Sequence, residues 1–304
     1  MRKIFVLLLV LILNESACAD IRVTVSIFPV YDWTREIAKD SGVDVALLMK
    51  KGVDLHNYQP SVSDIVRISE SDIFIYIGGE SDEWVEDALK NVTNKNQIAI
   101  NLLEILGNAA KIETQLEGMQ EDHEHEHEHE SELDEHIWLS LRNAGILCRH
   151  IAAKLSEIDP SHKKIYSQNL ARYIKSLDEL DKKYSDMINH SARKILLFAD
   201  RFPFRYLADD YGLKCYAAFS GCSAETEASF ETKKFLAEKT DEFNLPCVID
   251  IDGTRHNIAR TVIASTKAKN QKILVLNSMQ SGDPRVSYLQ IMAENLEILK
   301  EALN

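Results

Sequence analysis

Residues 160–189 read PSHKKIYSQNLARYIKSLDELDKKYSDMIN. Within them Tyr166, Leu170, Tyr173, Leu177, Leu180, Tyr184 and Met187 recur at alternating spacings of four and three, a continuous apolar seam on one face of a helix. Asp159, Pro160 and Ser161 supply a start signal. At 1.5 Å per residue a helix over these residues is about 45 Å long, enough to span a whole lobe. Such a connector predicts two lobes that hinge little.

On either side of this segment the pattern changes to short apolar runs alternating with amphipathic stretches. Upstream, Ile21, Val23, Val25 and Ile27 alternate with polar residues, as in a strand with one buried face. Ile73 to Ile77 is a continuous apolar run closed by Gly78-Gly79, the pattern of a buried parallel strand. Ser61 with Asp64 three residues on opens a helix, and Asn143 to Ser156 reads as the last helix of this half. Downstream, strand candidates are Ile195–Phe198, Cys215–Ala218, Val248–Ile251 and Ile273–Leu276, each followed by a helical pattern ending with Tyr288 to Leu303. The expected fold is α/β, with two mainly parallel sheets covered by helices and joined by the long helix. The expected boundaries are a lobe over 20–158, the connector over 159–190 and a second lobe over 191–304. In such sheets ligands bind beyond the C-terminal strand ends, and two lobes can turn those ends toward one cleft.

Arg2 and Lys3 precede an apolar run from Ile4 to Leu13, too short to span a bilayer but suited to a signal peptide over 1–19. Two processing sites overlap. Ala17-Cys18-Ala19 favours simple cleavage before Asp20, and Ser16-Ala17-Cys18 resembles a lipobox that would make Cys18 the lipid anchor. Either way the chain is expected to be exported, periplasmic or otherwise extracytoplasmic, with no later membrane span. The formal net charge is -13, and nine acidic side chains fall between Glu121 and Glu135 with no Lys or Arg among them. Basic patches interleaved with aromatics are missing, which argues against a nucleic-acid partner. Cys148, Cys215, Cys222 and Cys247 form no CxxC pair, which argues against a thiolate zinc site or a redox motif. One bridge among Cys215, Cys222 and Cys247 and a set of unpaired thiols both remain open.

The histidines carry the chemistry. His56 lies in the loop Asp54-Leu55-His56-Asn57-Tyr58-Gln59-Pro60-Ser61, and His136 in Asp134-Glu135-His136-Ile137-Trp138-Leu139-Ser140. Between them, in the loop 121–135, His123, His125, His127 and His129 alternate with glutamates. Imidazole is a neutral nitrogen ligand suited to zinc, and two of them need only one or two oxygen ligands to complete a site. The alternating tract is both a solvated charge run and a string of weak, exchangeable sites for borderline metals.

These segments, with Gly78-Gly79 and Trp84, Tyr206 to Gly212, Gly221 to Ser229 and the terminal Tyr288, Met292, Asn295 and Leu296, resemble the zinc/manganese-type solute-binding proteins of metal ABC importers. The resemblance covers nearly all of the mature chain. It implies two Rossmann-like lobes joined by one long helix, with the metal between them and His56 and His136 as ligands from the first lobe. It implies capture of zinc, with manganese as the other cation, and delivery to a permease, without catalysis. Membrane contact would then run through the permease or a lipid anchor alone. In the second lobe the pattern departs. Arg201, in Asp200-Arg201-Phe202-Pro203-Phe204-Arg205-Tyr206, stands where the family commonly presents a ligand, and a guanidinium cannot ligate. An aspartate near the last strand is replaced, in this reading by Asn277. Asp200, Glu225 and Glu227 are the expected replacement ligands, or else partners of Arg201 or Arg205. Two other readings compete: a surface adhesin or metal buffer whose histidine tract is the whole function, and a zinc hydrolase. The hydrolase would need a general base and a substrate pocket, and no Gly-x-Ser-x-Gly is present.

Overall fold

The computed structural model describes residues 21–113, 115–120, 132–223, 227–280 and 282–304. The signal peptide, Cys18, the tract His123 to His129 and Glu225 lie outside the described residues. The chain forms two four-stranded sheets, each wholly parallel. The first holds β1 (Arg22–Val25), β2 (Asp44–Leu47), β3 (Ile73–Tyr76) and β4 (Ile98–Asn101) in the order β2-β1-β3-β4. The second holds β5 (Ile195–Arg201), β6 (Lys214–Phe219), β7 (Cys247–Ile251) and β8 (Lys272–Leu276) in the order β6-β5-β7-β8. In each sheet the chain reverses its direction of winding beside the first strand, so a crevice opens at the C-terminal strand ends between β1 and β3 and again between β5 and β7.

Helices α1 (Phe28–Ala38), α2 (Val62–Glu70), α3 (Trp84–Lys90), α4 (Leu102–Leu106) and α5 (Leu141–Ile158) accompany the first sheet. Ser61 and Asp64 make the expected reciprocal cap of α2. Strand β1 is buried more completely than alternation implies, because Thr24 is as enclosed as Val23 and Val25. It is an inner strand of a sheet covered on both faces, so the polar position is also inside.

A 3₁₀ turn at Pro160–His162 leads into α6 (Lys163–His190), 28 residues and about 42 Å long. Tyr166, Tyr173, Leu177, Leu180 and Tyr184 of the seam are buried, joined by Ile174 and Ile188, while Leu170 and Met187 lie half-buried at its margin. The helix rests on α1, α5 and α10 (Tyr288–Leu303). One apolar core therefore runs from Val23 to Leu303 through both halves, and a second, smaller core fills the far face of the second sheet. Polar bonds tie the halves together as well. Trp138 Nε1 donates to the Ser278 carbonyl at 2.8 Å, Tyr288 Oη to the Trp138 carbonyl at 2.7 Å, and Tyr206 Oη to the Asp134 carbonyl at 2.9 Å. The remaining helices are α7 (Arg205–Tyr211), α8 (Phe230–Glu242) and α9 (Asn257–Ser265). Among the described residues no helix is long and apolar enough to cross a membrane.

Candidate metal centre

The loop after β2 carries His56 on a 3₁₀ turn, Leu55–Asn57. Leu55 is fully buried and anchors the turn, and the Asp54 carboxylate caps it by accepting from the His56 amide at 3.2 Å. His136 precedes a second 3₁₀ turn, Ile137–Leu139, whose three apolar side chains are fully buried. Both histidines are therefore held by their neighbours rather than by a mobile loop.

Their Nε2 atoms face each other at 3.3 Å. Two nitrogens about 2.0–2.1 Å from one tetrahedral zinc ion stand about 3.3–3.4 Å apart, so the observed gap suits a shared ion. The opposite ring nitrogens are held from behind. Asp134 Oδ1 accepts from both the His136 amide and Nδ1 at 2.9 Å, which leaves Nε2 as the lone-pair nitrogen of the neutral ring. His56 Nδ1 lies 2.8 Å from Ser81 Oγ and 3.6 Å from Glu135 Oε2, which orients that ring in the same sense.

The second half contributes two groups that the motifs did not single out as ligands. Cys222, in the turn after β6, joins His56 and His136 in a cluster whose ligand atoms all lie within 4.8 Å of one another. Gln280, beyond β8, places its amide nitrogen 2.9 Å from His56 Nε2 and 3.0 Å from His136 Nε2. The absence of a CxxC pair gave no hint of this grouping, because the fold brings a lone cysteine to the histidines without a partner nearby in the sequence. All four described cysteines are free, which closes the disulfide alternative for them.

Of the expected oxygen ligands, Asp200 and Glu227 are described, and they lie elsewhere or carry other bonds. Asp200 is hydrogen-bonded to Asp250, and burial followed by that contact lifts its carboxyl to about 7. Together with Glu227, Asp250 and His256 it lines a separate cavity of about 440 Å³. Asn277 accepts from the Met279 amide at 2.8 Å and pairs with Asn295, so Gln280 is the amide that reaches the histidines. Among the described residues Arg201 forms its ion pair with Asp54 of the first half at 2.9 Å, and none with a carboxylate of its own half.

Electrostatics divide the donors. Burial and then the neighbouring His136 push His56 down to about 3, so it is a neutral base at any ordinary pH. Burial alone would lower His136 too, but the Asp134 hydrogen bond and charge, with Glu135 and Glu113, hold it above its usual 6.5. Burial and then Glu113, Glu135 and Asp134 raise the Cys222 thiol well above its usual range, so the metal-free site holds a thiol. A divalent cation reverses both preferences, since it attracts the same carboxylates and takes the thiolate. Close packing is needed here as well: a Cβ added to Gly221 would stand 2.9 Å from His136 Cε1 and 3.0 Å from the Phe202 carbonyl.

Because Arg201 and Asp54 pin the His56 turn to the opposite half, Arg201→Ala is expected to weaken metal binding about 10-fold, in the range of lost supporting contacts. Titration of zinc into this variant checks it. Affinity equal to the parent chain would show that the pair supports nothing at the site.

The comparisons with known proteins bear on residues well beyond this cluster. The family model for "Zinc-uptake complex component A periplasmic" matches residues 23–302. The "High-affinity zinc uptake system protein ZnuA" of Bacillus subtilis (strain 168) is 31% identical over 295 residues, covering 95% of this chain and 89% of that one. The "Zinc-binding lipoprotein AdcA" of Streptococcus pneumoniae (strain ATCC BAA-255 / R6) is 29% identical over 95% of this chain, which spans only 57% of that longer relative. Among solved structures, the Zn(II)-bound ZnuA-like domain of Streptococcus pneumoniae AdcA superposes with a TM-score of 0.71 at 27% identity, covering 93% of this chain and 99% of that one. The chain belongs to the ZnuA family of periplasmic zinc-uptake components.

Proposed function

We propose that this protein captures one zinc ion between its lobes, with His56 Nε2, His136 Nε2 and Cys222 Sγ as ligands, and delivers it to an ABC permease. The observation that carries the reading is the 3.3 Å gap between two lone-pair nitrogens, with a thiol beside them and carboxylates behind both rings. Gln280 closes the fourth side, where a flipped amide would present its oxygen. Two imidazoles and a thiolate form a borderline-to-soft donor set that favours zinc, whereas manganese prefers carboxylate, carbonyl and water oxygens. The lobe boundaries at 158 and 190 and an exported, cleaved or lipidated N-terminus belong to the same reading. The role is binding and release, with no covalent step.

The test is a zinc titration of the mature chain across pH. Binding displaces the Cys222 thiol proton at neutral pH, so affinity is expected to rise about tenfold per pH unit there. Below the raised pKa of His136 a second proton sits on Nε2, where the ion must go, and affinity falls about a hundredfold per unit toward pH 5. The expected stoichiometry is one tight ion. A profile flat between pH 5 and pH 8 would contradict the proposed ligands.

A further inference from the structure

Beside the histidine pair lies a cavity of about 500 Å³ lined by Glu80, Glu83, Glu113, Glu132, Glu135 and Cys222, with no lysine or arginine among its lining residues. Its acids are graded in depth. Glu80, Glu83 and Glu132 are exposed, Glu113 is half-buried, and Glu135 is 2% exposed. Two details separate this arrangement from an ordinary acidic surface. Glu135 Oε1 is held by the Ser81 amide at 2.8 Å, while Oε2 is buried without a hydrogen-bond partner among the described residues and sits 3.6 Å from His56 Nδ1. A buried carboxylate oxygen left unsatisfied is costly, and a cation in the cavity would satisfy it. Gly79 is part of the same construction: its φ is 84°, and a Cβ there would overlap the Glu135 carboxylate. Secondly, Cys222 belongs both to this lining and to the His56–His136 cluster, so the cavity and the inner site share a wall.

We propose that this cavity is a second cation site, a vestibule in which carboxylate oxygens take up a hydrated divalent cation and pass it by way of Glu135 and Cys222 to the histidine pair. A carboxylate site that leaves a divalent ion several of its waters holds it through few direct contacts, which suits a transit station. A field of one sign in a cleft also raises the capture rate of an oppositely charged ion by about 10-fold to 1000-fold. The proposal rests on the inner site being a zinc site.

The experiment follows zinc capture by the full mature chain in stopped flow, using the fluorescence of Trp138, whose ring lies 5.3 Å from that of His136. Glu80→Gln/Glu83→Gln/Glu132→Gln is expected to slow association by about 10-fold at low ionic strength. Dissociation should slow by a similar factor, because a path used in both directions changes rates and leaves the equilibrium within about threefold. Glu135→Gln, which keeps the shape and the Ser81 contact, should slow capture by at least as much. A control with the same change of charge on α8 and α10, Glu238→Gln/Glu294→Gln/Glu297→Gln, should stay within about twofold of the parent. Equal slowing in the control, or parent rates in both vestibule variants, would overturn the vestibule alone. A parent chain that captures no zinc would overturn the zinc reading and the vestibule with it.

Discussion

Replacing His136 with alanine is expected to remove the tight zinc site, weakening binding by about 100-fold to 1000-fold. Structural zinc sites bind with about 10–16 kcal/mol in total. Four ligands that share this evenly contribute about 2.5–4 kcal/mol each, and about 1.4 kcal/mol is a factor of ten. His136 should lie at the upper end of that range. It is completely buried, it receives its orientation from Asp134 at 2.9 Å, and among the described residues no third imidazole joins the cluster to substitute for it. Alanine also leaves a cavity, so His136→Gln, which retains bulk but not the imidazole, serves as a second variant. Calorimetry with a competing chelator reads both. Unchanged affinity in both, with unfolding midpoints close to the parent, would remove His136 from the site.

Cys222→Ser is expected to cost about 100-fold in zinc affinity and to change its pH dependence. A serine hydroxyl is a poor ligand at neutral pH, so the tenfold-per-unit rise attributed to the displaced thiol proton should disappear with the thiol. The sign follows from the metal-free state. Burial and three carboxylates raise the thiol pKa, so zinc must displace a proton that a serine variant does not have to lose. Cobalt offers a direct optical check, because a thiolate-to-cobalt charge-transfer band should be present in the parent and missing in Cys222→Ser. A variant that keeps both the parent affinity and the parent slope would show that the sulfur lies near the ion without binding it.

The sequence was informative where the chemistry is local and less so where the fold assembles it. Seven regularly spaced apolar residues announced α6, and continuous apolar runs such as Ile73 to Ile77 announced parallel strands buried on both faces. His56 and His136 stood out because each sits in a short turn with its own supporting residues, Asp54 before one and Asp134 before the other. Cys222 and Gln280 were not legible in this way. They lie beyond different strands, β6 and β8, and meet the histidines only because both sheets present their C-terminal ends to one cleft. Arg201 drew attention to the acids near it in sequence, whereas its partner, Asp54, comes from the other half. The side chain of Asp200, one residue earlier, bonds Asp250 at the crevice between β5 and β7. The two clustered histidines were therefore readable from the motifs, and which groups of the second half meet them required the three-dimensional arrangement.

The most direct measurement is X-ray absorption at the zinc edge of the mature chain loaded with one equivalent of zinc. A site built from His56, His136 and Cys222 should give one sulfur at about 2.3 Å and nitrogen or oxygen neighbours at about 2.0–2.1 Å, with outer-shell scattering from two imidazole rings. The sulfur shell should vanish in Cys222→Ser and one imidazole in His136→Ala. A first shell of oxygen alone, or a spectrum unchanged by either substitution, would contradict zinc capture at this centre.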